Sequence, residues 1–251
     1  MIIITMSSFF PMDTIPPWYD ATKLETTKCR IFHTALSQGH CNACTAFSVS
    51  TAWSMRMCLR HGVDFIPSPY RMYDCVAASC DTGSSIYRMA HLLARTDNNI
   101  TDISASPRQY GLGCPTEDPA RRGGSIMRKL ENPMEIKEAI LKWGPLPAAV
   151  DFSDADRYWF GVFHPGVLPK PMHSVVVIGW GSTPENYWLI QNSWGGHWGV
   201  SGRGMLAERS LKYVAVEMDE SYLIPFLTLW ILVPLFTIAM IVQHRTEDDH
   251  D

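Results

Sequence analysis

The segment 38–48 (QGHCNACTAFS) places a cysteine where its chemistry would be favoured. A loop containing Gly39 leads to Cys44, and the residues that follow Cys44 predict the first turn of a helix. Free backbone N–H groups and the helix dipole at such a position stabilise a thiolate and lower the pKa of the thiol. The pattern therefore predicts that Cys44 is a nucleophile, which would need a base.

Two residues in the second half of the chain could complete a nucleophilic site. His173 begins the run HSVVVIGWG, and Asn192 follows YWLIQ in the segment YWLIQNSWGGHWG. An imidazole can exchange a proton with a thiol, and a side-chain amide can hold that imidazole in the required tautomer. Trp194, two residues after Asn192, would shield the imidazole–amide hydrogen bond from water.

The cysteine count leaves one thiol over if the others pair. Seven cysteines lie in the first half of the chain, which suggests three disulfides and one free thiol. The alternative is a cytosolic protein with seven reduced cysteines. The pair Cys41 and Cys44 has no partner pair at zinc-finger spacing, so we expect neither a metal nor another cofactor.

The elements that would position these residues are mainly helices in the first part of the chain and mainly strands after residue 146. Helices are predicted over residues 44–60, with Gly62 as a stop, and over 87–95 and 133–143. Strands are predicted over 147–152, 174–178 and 187–191. The pattern predicts an α+β protein with a helical and a strand-rich subdomain and a cleft between them.

Three segments, in this order, resemble the motifs of the papain-like cysteine peptidases. They are QGHCNACTAFS, HSVVVIGWG and YWLIQNSWGGHWGVSGRG, with weaker support from ENPMEIKEAILKWGP. His173 and Asn192 lie 129 and 148 residues beyond Cys44, close to the family spacing of about 130 to 150. The resemblance covers residues 15–220. It implies a papain-like fold with a helical left subdomain (15–122), a β-barrel-like right subdomain (123–220) and the active-site cleft between them.

The resemblance also implies a role for each site residue. Cys44 would attack the scissile carbonyl as a thiolate, and His173 would pair with it and later protonate the leaving amine. Asn192 would orient His173. The Gln38 side chain and the Cys44 N–H would form the oxyanion hole, although Gln38 could also be an ordinary loop residue. The implied activity is that of a cysteine-type endopeptidase acting through an acyl-enzyme thioester.

Within the family, YDATKLETTKC and the positions of two cysteines are similar to the cathepsin B branch. That resemblance implies the pairs Cys29–Cys58, Cys41–Cys80 and Cys75–Cys114, with Cys44 free. Such bridges would place the body in an oxidising, lysosome-like or extracellular compartment. The histidine-bearing insertion of cathepsin B has no counterpart in residues 115–125, so we expect an open cleft and endopeptidase action.

Five residues are expected to contact substrate by the same resemblance: Thr82, Gly83, Met172, Trp194 and Asp219. Several of these positions, together with Thr45 beside the nucleophile, depart from the family pattern. The family has two consecutive glycines in the strip that hydrogen-bonds the substrate backbone, and here Thr82 stands beside the one glycine that is kept, Gly83. Met172 is bulkier than the small residue that usually precedes the histidine. Asp219 would form an acidic floor of the second subsite. If the match to the family segment shifts by one residue, Met218 would take that position instead. A further alternative is that Asp219 is merely part of an acidic stretch.

The segment 222–242 (YLIPFLTLWILVPLFTIAMIV) has 21 residues and no charge, about the length that crosses a bilayer. We expect a transmembrane helix over 221–243, a short cytoplasmic tail over 244–251 and a lumenal or extracellular body. A buried core helix and a tail-anchored protein with a cytosolic body are the alternatives. Residues 1–14 resemble an incomplete leader, and no propeptide precedes Ile15. The sequon at Asn99 would be glycosylated in a lumen.

Composition limits the classes of partner. Lys and Arg number 21 against 25 Asp and Glu, so no basic field for nucleic acid is expected. An apolar content of 46% with 18% charged residues excludes a disordered chain. We expect the protein to act on peptide or protein substrates, to contact a membrane through its C-terminal helix and to be monomeric. By resemblance, we also expect it to be inhibited by cystatin-type proteins. The alternative function is a membrane-tethered papain-like module that binds peptides with weak or no catalysis.

Overall fold

The computed structural model describes residues 15–24, 28–77, 79–95, 100–114, 126–166 and 173–218. Several predictions lie outside these residues: the leader, the transmembrane segment and its tail, the sequon residue Asn99, and the substrate-site residues Met172 and Asp219. Among the described residues, no helix combines the length and the apolar character that crossing a membrane requires.

The helical half is built around one long helix. This helix, α1, spans Cys44–His61 and is followed by α2 (Pro69–Asp74) and α3 (Ile86–Arg95). Small buried residues such as Ala46 and Ala52 let neighbours pack closely against α1, which is buried along most of its length. Gly62 ends α1 in the left-handed conformation (φ 66°) and donates its N–H to Cys58 O. The predicted helix and its glycine stop are therefore confirmed.

In the part of the chain that the structure describes, eight strands form one sheet. They are β1 (Tyr19–Asp20), β2 (Ile126–Leu130), β3 (Leu146–Val150), β4 (Val162–Phe163), β5 (His173–Gly181), β6 (Tyr187–Gln191), β7 (Arg203–Ala207) and β8 (Leu211–Met218). Their order is β2-β8-β3-β5-β6-β7-β4, with β1 paired to β5. Helix α4 (Pro133–Trp143) begins as predicted, because Asn132 accepts from the Met134 N–H at 2.8 Å and Pro133 lacks the N–H that a first turn leaves unused.

The described strand pairings run from β2 to β4 without joining these two strands, and the barrel-like form of the second subdomain stays a prediction. One feature of the sheet differs from the expectation. Strand β1 pairs Tyr19 with Trp180 and so ties the beginning of the described chain to the sheet instead of to the helices. This close crossing depends on Gly179, because a Cβ there would overlap the Tyr19 carbonyl.

Two hydrophobic cores lie on opposite faces of the sheet, one of which covers α1. One core surrounds α1 and includes four residues from the strands: Ala149, Val176, Ile178 and Ala215. The other core lies beneath α4 and includes Trp180, Trp188 and Leu146. Burial of these apolar side chains holds the helical half against the sheet. The packing brings the start of α1 to the start of β5, where the site lies.

Three disulfides cross-link the helical half. They join Cys29 to Cys58, Cys41 to Cys80 and Cys75 to Cys114, the same pairs that the resemblance implies. Cys44 is free. Each bridge closes a loop of the unfolded chain and thereby reduces its conformational entropy.

Candidate active site

Cys44 is the first residue of α1, and its partly exposed thiol lies against the strand that carries His173. Backbone N–H groups of Ser174, Thr45 and Cys44 itself hydrogen-bond the sulfur. Because Ser174 directly follows His173, the contact with its N–H brings the predicted nucleophile and the predicted base to the same place. The two residues come from opposite halves of the molecule.

His173 is held by a side-chain amide and by aromatic rings. Its Nε2 donates to Asn192 Oδ1 at 2.8 Å, which leaves Nδ1 as the nitrogen that can exchange a proton with a thiol. The Trp194 ring lies 4.9 Å from the imidazole, and Phe152 stacks on the imidazole at 5.0 Å with an interplanar angle of 16°. These rings limit the access of water to the histidine–asparagine hydrogen bond.

Burial opposes charge on both side chains. It raises the pKa of the Cys44 thiol, and the three backbone hydrogen bonds only partly offset it. Burial also lowers the pKa of His173 to about 4, against the opposing effect of the bond to Asn192. The net direction for Cys44 is opposite to the lowered pKa expected at a helix start. A thiolate–imidazolium pair would therefore depend on the mutual attraction of the two charges.

Gln38 is buried in the loop that leads to Cys44, and both ends of its side-chain amide are hydrogen-bonded. Its Nε2 donates to Cys41 O at 2.8 Å, and its Oε1 accepts from Ser193 Oγ at 2.7 Å. An amide nitrogen carries two hydrogens, so one remains for a ligand. Since Ser193 follows Asn192, the same short segment positions both Gln38 and the partner of His173. This environment is more specific than that of an ordinary loop glutamine.

Thr82 and Gly83 lie in an exposed strip that follows Cys80. The Asn42 side chain donates to Asp81 O at 3.0 Å, and Tyr73 Oη donates to Thr82 O at 2.6 Å. These bonds hold the strip close to the loop that carries Cys44. A Cβ at Gly83 would meet no atom within 4 Å, so the backbone there is open to a ligand.

Residues 15–224 match the family described as papain family cysteine protease. The chain belongs to the papain family of cysteine proteases. Cathepsin S of Bos taurus is 29% identical over 74% of this chain and 59% of its own length. Cathepsin K of Mus musculus is 27% identical over 68% of this chain and 55% of its own length. The chain thus spans somewhat more than half the length of these curated relatives.

Two solved structures show that the likeness extends to the fold. A digestive procathepsin L 3 from the larval midgut of Tenebrio molitor superposes with a TM-score of 0.66 at 22% identity, covering 84% of this chain and 71% of that one. Procathepsin B S9 from Trypanosoma congolense gives a TM-score of 0.65 at 19% identity, covering 81% and 77%. Both values indicate the same fold at identities too low to indicate more.

Papain-family architecture accounts for how the site is assembled, but two nearby features were not predicted. Ser48, one turn beyond Cys44, hydrogen-bonds Ser174 between the buried hydroxyls at 2.6 Å. Ser174 also donates to Ala148 O at 3.1 Å. Phe152 was missed as well, because its place beside His173 follows from the pairing of Val150 with His173, which only the structure shows.

Thr45, the residue beside the nucleophile, is buried, and its hydroxyl has no hydrogen-bond partner in the described part of the protein. An unsatisfied buried hydroxyl is unfavourable. The position beside the nucleophile, which departs from the family pattern in sequence, is therefore also unusual in its hydrogen bonding. Across the described residues, no three His, Cys, Asp or Glu side chains are grouped as metal ligands.

Proposed function

We propose that this papain-family protein is a cysteine-type endopeptidase with Cys44 as its nucleophile. One observation carries the proposal: the only free thiol among the described cysteines contacts the N–H of Ser174, beside a histidine that donates to Asn192. A free thiol, an oriented imidazole and a nearby amide donor are the groups that acyl transfer needs.

In the proposed acylation step, the Cys44 thiol gives its proton to His173 Nδ1 and its sulfur bonds to the scissile carbonyl carbon. The negative charge that develops on the carbonyl oxygen is stabilised by the free hydrogen of Gln38 Nε2 and by the Cys44 N–H. When the carbon–nitrogen bond breaks, His173 protonates the leaving amine. The product is a thioester on Cys44 and a free amine.

Deacylation reverses the role of His173. The imidazole removes a proton from water as the water oxygen bonds to the thioester carbon, and the carbon–sulfur bond breaks. The sulfur leaves as a thiolate and regains the proton from His173, so the site returns to its starting state. Asn192 keeps Nε2 engaged throughout, which leaves Nδ1 as the only ring nitrogen in the exchange.

Substrate would bind in an extended form along the strip that contains Gly83. The open space above Gly83 supports this assignment, and Thr82 would narrow the strip beside it. Met172 and the acidic floor at Asp219 remain predictions from the resemblance. The Cys29–Cys58 bridge agrees with a place near the cathepsin B branch, whereas the curated relatives described above are cathepsins S and K.

The setting of the enzyme is a further part of the proposal. Three disulfides support an oxidising lumenal or extracellular compartment, such as a lysosome-like one. The uncharged segment 222–242 supports a membrane anchor with the tail in the cytoplasm. Inhibition by cystatin-type proteins and a monomeric state follow from the family resemblance.

A second candidate function is a membrane-tethered module that binds peptides with weak or no catalysis. The specific observations in its favour are the unsatisfied Thr45 hydroxyl and the burial that raises the pKa of Cys44 and lowers that of His173. Both functions use the same cleft, so only turnover distinguishes them.

The experiment uses the full chain and an unfolded protein substrate, with cleavage products mapped by mass spectrometry. We expect internal cleavages from the parent and a loss of at least about a hundredfold in rate for Cys44→Ala and His173→Ala. His164→Ala is the matched control, because His164 is exposed and pairs with Glu185 at the far edge of the sheet. Folded parent that binds peptide without turnover would favour the second candidate, and release of dipeptides alone would contradict the endopeptidase assignment.

A further inference from the structure

Three tyrosines of the helical half, which we call the tyrosine cluster, pack against one another. Tyr70 and Tyr73 lie three residues apart on α2, and the ring of Tyr110 contacts both, with centroids 5.0 and 5.3 Å away. Tyr70 and Tyr73 are buried and Tyr110 is half-buried. Aromatic rings at such distances stabilise one another, and a buried tyrosine hydroxyl usually finds a hydrogen-bond partner. All three hydroxyls find theirs at the candidate active site.

Two of the hydroxyls bind the loop that leads to the nucleophile. Tyr110 Oη donates to Gln38 O at 2.9 Å, and Tyr70 Oη donates to Ser37 O at 2.9 Å. The Gln38 N–H donates to Ser193 O at 2.8 Å. The main chain at Gln38 is therefore hydrogen-bonded both to the tyrosine cluster and to the strand-rich half, so its place does not depend on the loop alone.

The third hydroxyl binds the strip that is proposed to hold substrate. Tyr73 Oη lies 2.6 Å from Thr82 O and 2.8 Å from Ser79 O. Gly83, whose backbone is open to a ligand, directly follows Thr82. One cluster of rings therefore contacts two different parts of the site, the loop with the proposed oxyanion donor and the strip with the proposed substrate contact.

The cluster is fixed in place, and its hydroxyls remain donors. Asp74, the last residue of α2, accepts from the N–H groups of Gly111 at 2.8 Å and Leu112 at 2.9 Å, which ties the segment after the third tyrosine to the helix. The Cys75–Cys114 disulfide joins the same two segments. Burial raises the pKa of all three hydroxyls above the ordinary value of about 10. They therefore stay protonated at neutral and acidic pH.

Gln38 can stabilise an oxyanion only while its side chain keeps its place relative to the sulfur of Cys44. A displacement of about 1 Å in an active site can cost about a hundredfold in rate. We propose that Tyr110 and Tyr73 are positioning residues, Tyr110 acting through Gln38 on the transition state and Tyr73 acting through the strip on substrate binding. The inference rests on the proposed function, because it concerns the same site.

Substitution of tyrosine by phenylalanine removes a hydroxyl and keeps the ring packing, and steady-state kinetics of the full chain with a fluorogenic peptide gives the readout. Tyr110→Phe should lower kcat about tenfold with little change in KM, because the oxyanion forms only in the transition state. Tyr73→Phe should raise KM about fivefold with little change in kcat. Tyr158→Phe is the matched control and should change neither, because this buried hydroxyl donates to Gly161 O at 2.7 Å in the strand-rich half.

A double variant shows whether Tyr110 acts through Gln38. Gln38→Ala should lower kcat about a hundredfold, and Tyr110→Phe should lower it no further in that background. Tyr73→Phe should still raise KM there. A hydroxyl with a merely structural role would lower kcat by the same factor in both backgrounds. That result, or the same change in kcat and KM for both tyrosine variants, would overturn the proposal and leave the peptidase intact.

A parent chain that cleaves no peptide would refute the proposed function, and the positioning roles are then measured on the folded Cys44→Ala chain without turnover. Tyr110→Phe should shift the side-chain amide resonances of Gln38 in NMR spectra. Tyr73→Phe should leave those resonances in place and raise the Kd of a fluorescein-labelled hexapeptide about fivefold in fluorescence anisotropy. Unshifted Gln38 resonances would overturn the role of Tyr110, and an unchanged Kd would overturn that of Tyr73.

Discussion

In the proposed mechanism, the charged forms of Cys44 and His173 would depend on their attraction for each other. Burial alone favours the neutral thiol and the neutral imidazole. Two opposite unit charges about 4 Å apart attract by about 4 kcal/mol at an effective dielectric constant near 20. That attraction corresponds to roughly a thousandfold change in the proton-transfer equilibrium. The proposed catalysis would therefore depend on a pair whose members do not ionise favourably by themselves.

Removing the thiol should expose the intrinsic behaviour of His173. In Cys44→Ala, we expect the imidazole to titrate well below the ordinary value of about 6.5, near the value of about 4 set by burial. Since the unfolded chain binds the proton more tightly, stability should fall as the pH decreases from about 6.5 to about 4, and be unaffected by His173 above that window. NMR titration of the ring gives the pKa directly. Cys44→Ala/His173→Gln should lack this pH-dependent loss, and a ring pKa near 6.5 would contradict the account.

Gly83 offers a test of the substrate strip that is separate from stability. In Gly83→Val, the new side chain meets no protein atom close to its Cβ, so we expect the free energy of unfolding to change by less than about 0.5 kcal/mol. The side chain would occupy the space proposed for substrate and should raise KM about tenfold. Alkylation of Cys44 by iodoacetamide is the control and should keep its rate. An unchanged KM would move the substrate away from the strip.

Motif spacing was sufficient to propose Cys44, His173, Asn192 and Gln38 as site residues, because each lies in a short segment with a distinctive composition. The contacts that support these residues were not predictable in the same way. Phe152 and Ser174 carry no special signal, since their importance comes from a neighbour distant in sequence. The sequence alone shows that Thr45 departs from the family pattern. Its unsatisfied hydroxyl could be seen only in the structure, because it depends on which groups surround the side chain.

At the scale of elements, α1 and β5 are joined directly beneath the site by the Ser48–Ser174 hydrogen bond. Both hydroxyls are buried, and Ser174 also donates to Ala148 on β3. A buried hydrogen bond between two elements restricts their relative displacement. We infer that this bond sets the separation between the sulfur on α1 and the imidazole on β5.

Ser48→Ala and Ser174→Ala should each lower kcat, by about tenfold, with little change in KM, because a displaced nucleophile affects the reaction more than binding. The double variant should be little worse than either single variant, since both remove the same bond. Ser54→Ala is the matched control: Ser54 is buried on the same helix but donates to Ser50 O within the helix. If the losses in kcat of Ser48→Ala and Ser174→Ala added up in the double variant, or if Ser54→Ala lowered kcat equally, the Ser48–Ser174 bond would not set the separation of the sulfur and the imidazole.

Long elements with a clear pattern were predicted well, and short or nonlocal ones were not. Helix α4 and strand β6 have the predicted bounds, and β5 is longer than predicted because His173 and Gly179–Gly181 also pair. Strands β7 and β8 were missed, since RGMLA and LKYVAVEM carry weak alternation. The two-residue strand β1 exists only through its pairing with β5, which no local pattern indicates.

At the scale of the molecule, the site exists only where the two halves meet. The helical half contributes Cys44 and Gln38, and the sheet contributes His173 and Asn192. The order of halves along the chain was predictable, but the tie of β1 to the sheet shows that the first described residues cross to the other half.

The most direct test of the central claim is covalent labelling of the folded full chain with a peptidyl vinyl sulfone, followed by mass spectrometry of the modified residue. Such a reagent needs a bound peptide and an activated thiol in one place. The account predicts that Cys44 alone is modified in the parent, that Cys44→Ala is not labelled, and that His173→Ala is labelled at least tenfold more slowly. Equal labelling of the parent and Cys44→Ala would contradict it.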